Sequence, residues 1–244
     1  VLGKAPRRAR EEDTRGMNDG IDRFRALLNR AADIDTYHQD DAPALNLFTI
    51  LRKAHDEVHL HSRFIAELLN PKGSHRCGTL FLSAFLKELG IKRYSLQGCE
   101  VHREHWHMDI LITNGAGEAI ILENKIYAAD GVEQIQRYVD DTKEHGLTPI
   151  AVVYVTPYGS PLSDQSRGSV GGELIVPVSY EKEILGWLGK CQELSHGYVR
   201  DSILRYAATV KQIVDKTASR ECIMKVAELL REGDNLRLAA VISE

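Results

Sequence analysis

The sequence predicts an α/β fold, a mixed sheet of four or five strands with helices on its faces. Three observations predict it. Apolar residues recur at helical spacing through the first third of the chain, and between residues 99 and 126 the spacing shortens to alternation. A helix-period segment is then followed by 149–156 (PIAVVYVT), a nearly continuous apolar run rich in β-branched residues, as expected of a strand covered on both sides.

In chain order, 17–32 carries Ile21, Phe24, Leu27 and Leu28 at helical spacing and predicts a first short helix. Asp40, Asp41 and Pro43 are start signals for a longer one. Leu47, Leu51, Ala54, Val58, Ile65 and Leu68 trace its apolar face until Asn70-Pro71-Lys72-Gly73 stops it. A third helix, 79–89, turns Leu80, Phe81, Ala84, Phe85 and Leu89 inward and has Gly90 as its C-terminal cap. Strands follow at 99–107, which alternates loosely, at 108–113 (MDILIT) and at 118–126 (EAIILENKI), the last two joined by the turn Asn114-Gly115-Ala116-Gly117. Residues 130–145 return to helix, with Val132, Ile135 and Val139 on the apolar face and Gly146 at the end. Strand, helix and strand in that order imply a right-handed crossover, hence a parallel pair between 118–126 and 149–156. Residues 157–172 (PYGSPLSDQSRGSVGG) predict a long mobile loop, 174–178 one more strand, and 181–191, 198–216 and 220–231 three helices.

Residues 1–16 are polar, mix charges and lack periodicity, which predicts a flexible or artificially added leader. The remainder, 17–244, reads as a single domain with its core at about 45–180 and its C-terminal helices at about 181–244. Hydrophobic residues at 43% and charged residues at 27% exclude a disordered chain, and no apolar run approaches the roughly 20 residues of a spanning helix, so no membrane partner is expected. A net charge of −4 argues against a protein held to nucleic acid by overall charge. It leaves room for an enzyme whose site gathers cations and is itself acidic. Cys77, Cys99, Cys191 and Cys222 show no zinc spacing, and with no secretory segment at the start the expected compartment is the reducing cytoplasm.

In Leu122-Glu123-Asn124-Lys125 the period of two sends Glu123 and Lys125 to one face and Asn124 to the other. If 114–117 makes a four-residue turn, Thr113 faces Glu118, and Asp109 falls within about one residue of facing Glu123. Charged groups beside Ile110-Leu111-Ile112 and Ile120-Ile121-Leu122 need a partner, because unpaired buried charge is costly. Two carboxylates suit the hard octahedral preference of Mg2+ or Mn2+, which can polarise a phosphodiester. Lys125 would then position or deprotonate the attacking water, or neutralise the phosphate. Spacing alone leaves a plain ion-pair cluster at a strand end equally open, since ExK is a common string.

Asp109 with Ile-Leu-Ile, a short Gly turn and then Ile-Leu-Glu-Asn-Lys125 resembles the PD-(D/E)XK nuclease superfamily, in which D…(D/E)XK on a β-hairpin binds metal and activates water. Residues 130–138 (DGVEQIQRY) are similar to the helix with a Gln…Tyr signature that follows ExK in many members. Residues 57–62 (EVHLHS) and 64–71 (FIAELLNP) are similar to the E…HS…LLNP helix of a prokaryotic subgroup. The resemblance spans roughly 47–156, and Met108 stands where the nominal Pro would be.

The resemblance implies a restriction-endonuclease-like core with extra N- and C-terminal helices. It implies Asp109, Glu123, Lys125 and Gln134 as catalytic residues, and Mg2+ or Mn2+ held by Asp109 and Glu123 with Glu57 as an additional carboxylate. Tyr138 and His61 are placed on the substrate side, against the bland alternatives of a ring packed on the sheet and a hydrogen-bonded core histidine. The activity implied is hydrolysis of nucleic-acid phosphodiesters, DNA before RNA, in a prokaryotic defence role, with a homodimer left open. Competing readings are an endoribonuclease with the same metal centre and His61 as a ligand, and a noncatalytic nucleic-acid-binding module on the same fold. A zinc hydrolase is the outsider, built on His102, His105 and His107, with His105, His107 and Asp109 sharing a strand face.

Overall fold

The computed structural model describes the backbone of residues 46–231 and side chains as far as Lys216, so the helix expected at 17–32 and the leader at 1–16 lie outside the described residues. Pro43–Val214 forms one compact unit, and every contact below belongs to it. Of a second unit, the described part is the helical backbone of 215–231.

Five strands form one mixed sheet in the order β1 (Glu100–His105), β2 (Met108–Thr113), β3 (Glu118–Asn124), β4 (Thr148–Thr156) and β5 (Ile175–Ser179). The first three pair antiparallel, whereas β3, β4 and β5 run parallel. The helices are α1 (Leu47–Leu51), α2 (Arg63–Leu69), α3 (Leu80–Glu88), α4 (Gln134–Glu144), α5 (Asp164–Arg167), α6 (Leu185–Glu193) and α7 (Gly197–Arg231). Wide π-helical turns, Glu57–Ser62 and Tyr180–Ile184, lead into α2 and α6.

Alternation decides which side chains face which layer. Ile110, Ile112, Ile120 and Leu122 pack with Phe81, Phe85, Trp187 and Tyr206 on one face of the sheet. Leu111, Ala119 and Ile121 pack on the other with Ile135, Tyr138 and Val139 of α4. Each large side chain fully withdrawn from water contributes about 1.5–3 kcal/mol, so both layers are held chiefly by apolar burial. This is the expected restriction-endonuclease-like α/β arrangement, with the full five strands. Among the described residues no helix is long and apolar enough to cross a membrane.

Four local expectations are corrected. The long helix after Pro43 breaks at Arg52, whose backbone is extended, and restarts at Asp56, whose side chain accepts the His59 N–H. The break frees the Ala54 carbonyl to accept from His61 Nε2 at 2.6 Å. The β1 strand stops at His105, because Trp106 and His107 both take positive φ (49° and 65°) and make a tight hairpin turn. His107 therefore does not continue the strand face of His105. In the next hairpin, Asn114 Oδ1 accepts the Ala116 and Glu118 N–H groups at 3.0 Å, so Asn114 itself faces Glu118 and Thr113 pairs with Ala119, one residue from the expected register. The helices expected at 198–216 and 220–231 are one helix, α7, since Thr217-Ala218-Ser219 contains no Gly or Pro to end it.

The segment 157–172 is tied down rather than loose. It contains α5, its Gln165 carbonyl accepts the Glu133 N–H at 2.8 Å, and its Ser169 N–H donates to Gln136 Oε1 at 2.9 Å.

Candidate active site

Ile110 pairs with Leu122, so the next step of the β2–β3 ladder sets Asp109 opposite Glu123; on its other side Glu123 pairs with Tyr154 of β4. Glu123 is 3% exposed. Its Oε1 accepts from Lys125 Nζ at 2.9 Å and from Gln134 Nε2 at 2.7 Å. Asp109 Oδ2 accepts the backbone N–H of Asn124 at 2.8 Å, a bond across the hairpin that aims the carboxylate.

Burial pushes both carboxyls above the usual range. The Asp109 charge raises Glu123 further, while the Asn124 N–H and the Lys125 charge pull Asp109 back only in part. For Lys125, burial alone would favour the neutral amine. The charges of Glu123, Asp109 and Glu57 outweigh it, so its ammonium is held protonated above the ordinary lysine range.

Gln134 opens α4 directly after Glu133, which sits at a left-handed φ of 49°. Its Nε2 bridges Glu123 Oε1 and the Tyr138 hydroxyl, both at 2.7 Å, and its Oε1 accepts the Gly131 N–H at 3.1 Å. The spacing of four that stacks Gln134 over Tyr138 thus links both to Glu123. Glu57 stands at the start of its π-helical turn, where Oε1 accepts the N–H groups of Ile126, Tyr127 and Ala128 at 2.7, 2.7 and 3.0 Å. That oxygen is committed to the backbone just beyond Lys125, which leaves Oε2 for any part in holding a cation.

Two residues placed on the substrate side lie deeper than expected. Tyr138 is 5% exposed and packs on the sheet, its hydroxyl taken by Gln134. His61 is fully buried; Nε2 donates to the Ala54 carbonyl, and Nδ1 accepts from the Tyr206 hydroxyl at 2.9 Å. Burial pushes its pKa down to about 4, so the ring is neutral and belongs to the core. A lone imidazole on an apolar helix face is satisfied most easily by such contacts.

The histidine strand does not gather a zinc site. His102 and His105 lie 5.3 Å apart by ring centre, His105 contacts Trp106, and Trp106 stacks on His145 at 3.8 Å. Among the described residues no group of three or more His, Cys, Asp or Glu side chains is placed to hold a metal ion, so Glu57 does not complete a three-carboxylate site with Asp109 and Glu123. The Asp109–Glu123 pair instead offers hard oxygen donors with coordination positions left over. Buried, and with the Asp109 charge raising Glu123, it fits a divalent cation, which would relieve that cost. An open groove of about 850 Å³ at the start of β3, lined by Lys92, Arg93, Glu118 and Lys143 among others, holds none of these residues.

Two polar residues were not singled out from the sequence. Asn124, on the opposite face to Glu123, accepts from the Tyr180 hydroxyl at 2.7 Å, and its Nδ2 approaches Ser62 Oγ at 3.3 Å, so it locks β3 to the turn bearing Glu57. Asp130 accepts from the Tyr154 hydroxyl at 2.6 Å and from the Ser163 N–H at 3.1 Å, binding the 157–172 segment to the site. The one available signal for the second group was Tyr154, a polar end inside an otherwise apolar run.

A mixed sheet with helices on both faces and an acidic β2–β3 hairpin is the architecture of restriction-endonuclease-like α/β proteins. The chain belongs to the PD-(D/E)XK nuclease superfamily, whose family model matches residues 45–224, well over half of its length. Comparison with curated proteins and with solved structures gives no match. Nucleases of this superfamily generally use divalent metal ions.

Proposed function

We propose that the chain is a divalent-metal-dependent nuclease that hydrolyses phosphodiester bonds of nucleic acid, DNA before RNA. The observation that carries this reading is the buried Glu123 carboxylate, set opposite Asp109 and bonded to both Lys125 and Gln134. Asp109 and Glu123 would hold Mg2+ or Mn2+, with Glu57 Oε2 assisting through water. The ion would supply Lewis-acid stabilisation of phosphate charge and a more acidic water.

The chain's own groups do the rest. Lys125, protonated and anchored on Glu123, presents positive charge to the scissile phosphate. Because the ammonium is held charged, phosphate neutralisation and orientation of water suit it better than proton abstraction does. Gln134 holds the rotamer of Glu123, and Glu57 holds the backbone that follows Lys125. The likeness of 57–71 to a prokaryotic subgroup supports a defence role.

The test is a cleavage panel on linear DNA, circular DNA and RNA in Mg2+ and in Mn2+, with Asp109→Ala and Lys125→Ala beside the parent chain. Loss of cutting in both variants is expected. Retained cutting by both would remove the mechanism.

A further inference from the structure

Asn124 is 1% exposed, and by alternation its side chain enters the layer of Ile110, Ile112, Ile120 and Leu122. An apolar residue would fill that layer at less cost, because a buried amide must find partners for both of its ends. Asn124 finds them. Its Oδ1 accepts from the Tyr180 hydroxyl at 2.7 Å, and its Nδ2 lies 3.3 Å from Ser62 Oγ and 3.4 Å from the Glu57 carbonyl. That carbonyl can only accept, which fixes the orientation of the amide. It also receives the Ser62 hydroxyl at 2.8 Å, so Ser62, the last residue of the EVHLHS run, braces the same point. Tyr180 is fully buried and directly follows β5.

The backbone of the same residue serves the site. The Asn124 N–H donates to Asp109 Oδ2 at 2.8 Å, and the chain neighbours of Asn124 are Glu123 and Lys125. A small rotation of this one residue would therefore move all three together. Glu57 closes the frame, for its carbonyl meets the Asn124 side chain while its Oε1 gathers the N–H groups of Ile126, Tyr127 and Ala128. We propose that Asn124 is a positioning residue of the cation site: its amide, held by Tyr180, Ser62 and the Glu57 carbonyl, sets the relation of the Asp109 carboxylate to that of Glu123. This rests on the metal-dependent nuclease reading above, and the test separates the two.

Mn2+ binding to the full chain is measured without nucleic acid, from the electron paramagnetic resonance signal of the free ion, at a temperature where the chains compared are folded. Cleavage in Mn2+ is followed separately. Tyr180→Phe removes only the donated hydroxyl, and Asn124→Leu replaces the amide by an apolar group of similar size while keeping the N–H to Asp109. Each should weaken Mn2+ binding about 10- to 100-fold, the usual effect of losing a partner that orients a metal-binding group, and lower kcat without raising KM for nucleic acid. Ile203→Val trims a fully buried side chain of the same layer; it should lower the melting temperature yet bind Mn2+ as the parent does. Should Asn124→Leu fail to fold, Tyr180→Phe decides. Parent-like Mn2+ affinity in Tyr180→Phe, or an equal loss in Ile203→Val, would overturn the proposal, as would a parent chain that binds no Mn2+. A chain whose Mn2+ affinity depends on Tyr180 yet cuts no nucleic acid keeps the proposal and loses the nuclease reading. One that cuts, with Tyr180→Phe indistinguishable from the parent in affinity and kcat, does the reverse.

Discussion

The Gln134 side-chain amide donates at 2.7 Å to Glu123 Oε1, the same oxygen that receives the Lys125 ammonium at 2.9 Å. One carboxylate oxygen therefore fixes both the residue proposed to face the phosphate and the N-terminus of α4. Gln134→Ala should lower cleavage about 10- to 100-fold, the usual effect of removing a group that orients a metal-binding carboxylate, while the melting temperature changes little. Gln134→Glu should do at least as much harm by adding charge beside Glu123. Kinetics of both variants decide it, and parent-like rates in either would exclude a positioning role.

Burial, with the Asp109 charge beside Glu123, makes ionising these two carboxyls costly in the metal-free site, so a cation they hold should stabilise the fold. At roughly a hundredfold excess over the dissociation constant this amounts to about 2.7 kcal/mol, or about 5–10 °C in melting temperature for a chain of this size. Thermal melts with and without Mg2+ or Mn2+ should show that rise in the parent and not in Asp109→Asn or Glu123→Gln. The same rise in the variants would place the cation elsewhere.

Glu57 accepts three backbone N–H groups on one oxygen. Bonds to a charged acceptor contribute about 1.5–3 kcal/mol each, less when they share an atom. Glu57→Ala should therefore melt several degrees lower than Glu57→Gln, and both should lose kcat more than they raise KM, because the backbone behind Lys125 is loosened. A Glu57→Ala variant that melts with the parent chain contradicts this.

His61 is neutral in the fold, with its pKa pushed by burial from 6.5 down to about 4. The unfolded chain then binds the proton more readily than the folded one. The stability that the neutral ring contributes is complete above about pH 6.5 and is lost as pH falls towards 4, at up to about 1.4 kcal/mol per unit. His61→Gln, able to bond the Ala54 carbonyl and the Tyr206 hydroxyl without titrating, should show a flatter decline over that range. Parallel pH profiles for the two chains would show that the imidazole is not the titrating group.

Periodicity alone already separated Glu123 and Lys125 from Asn124 and placed Gln134 one turn from Tyr138, because each of these relations joins residues a few positions apart. Side-chain hydrogen bonding chose what periodicity left open. Asn114 closed its turn with its own side chain and moved the β2–β3 register by one residue, which brought Asp109 opposite Glu123. The helix after Pro43 gave way where the Ala54 carbonyl found His61, and His61 in turn was claimed by a hydroxyl 145 residues away on α7. Local sequence determined the faces and the candidate charges. Tertiary packing decided their partners, since a buried polar group must bond to whatever the fold brings within reach, and that neighbour is not encoded nearby in the chain.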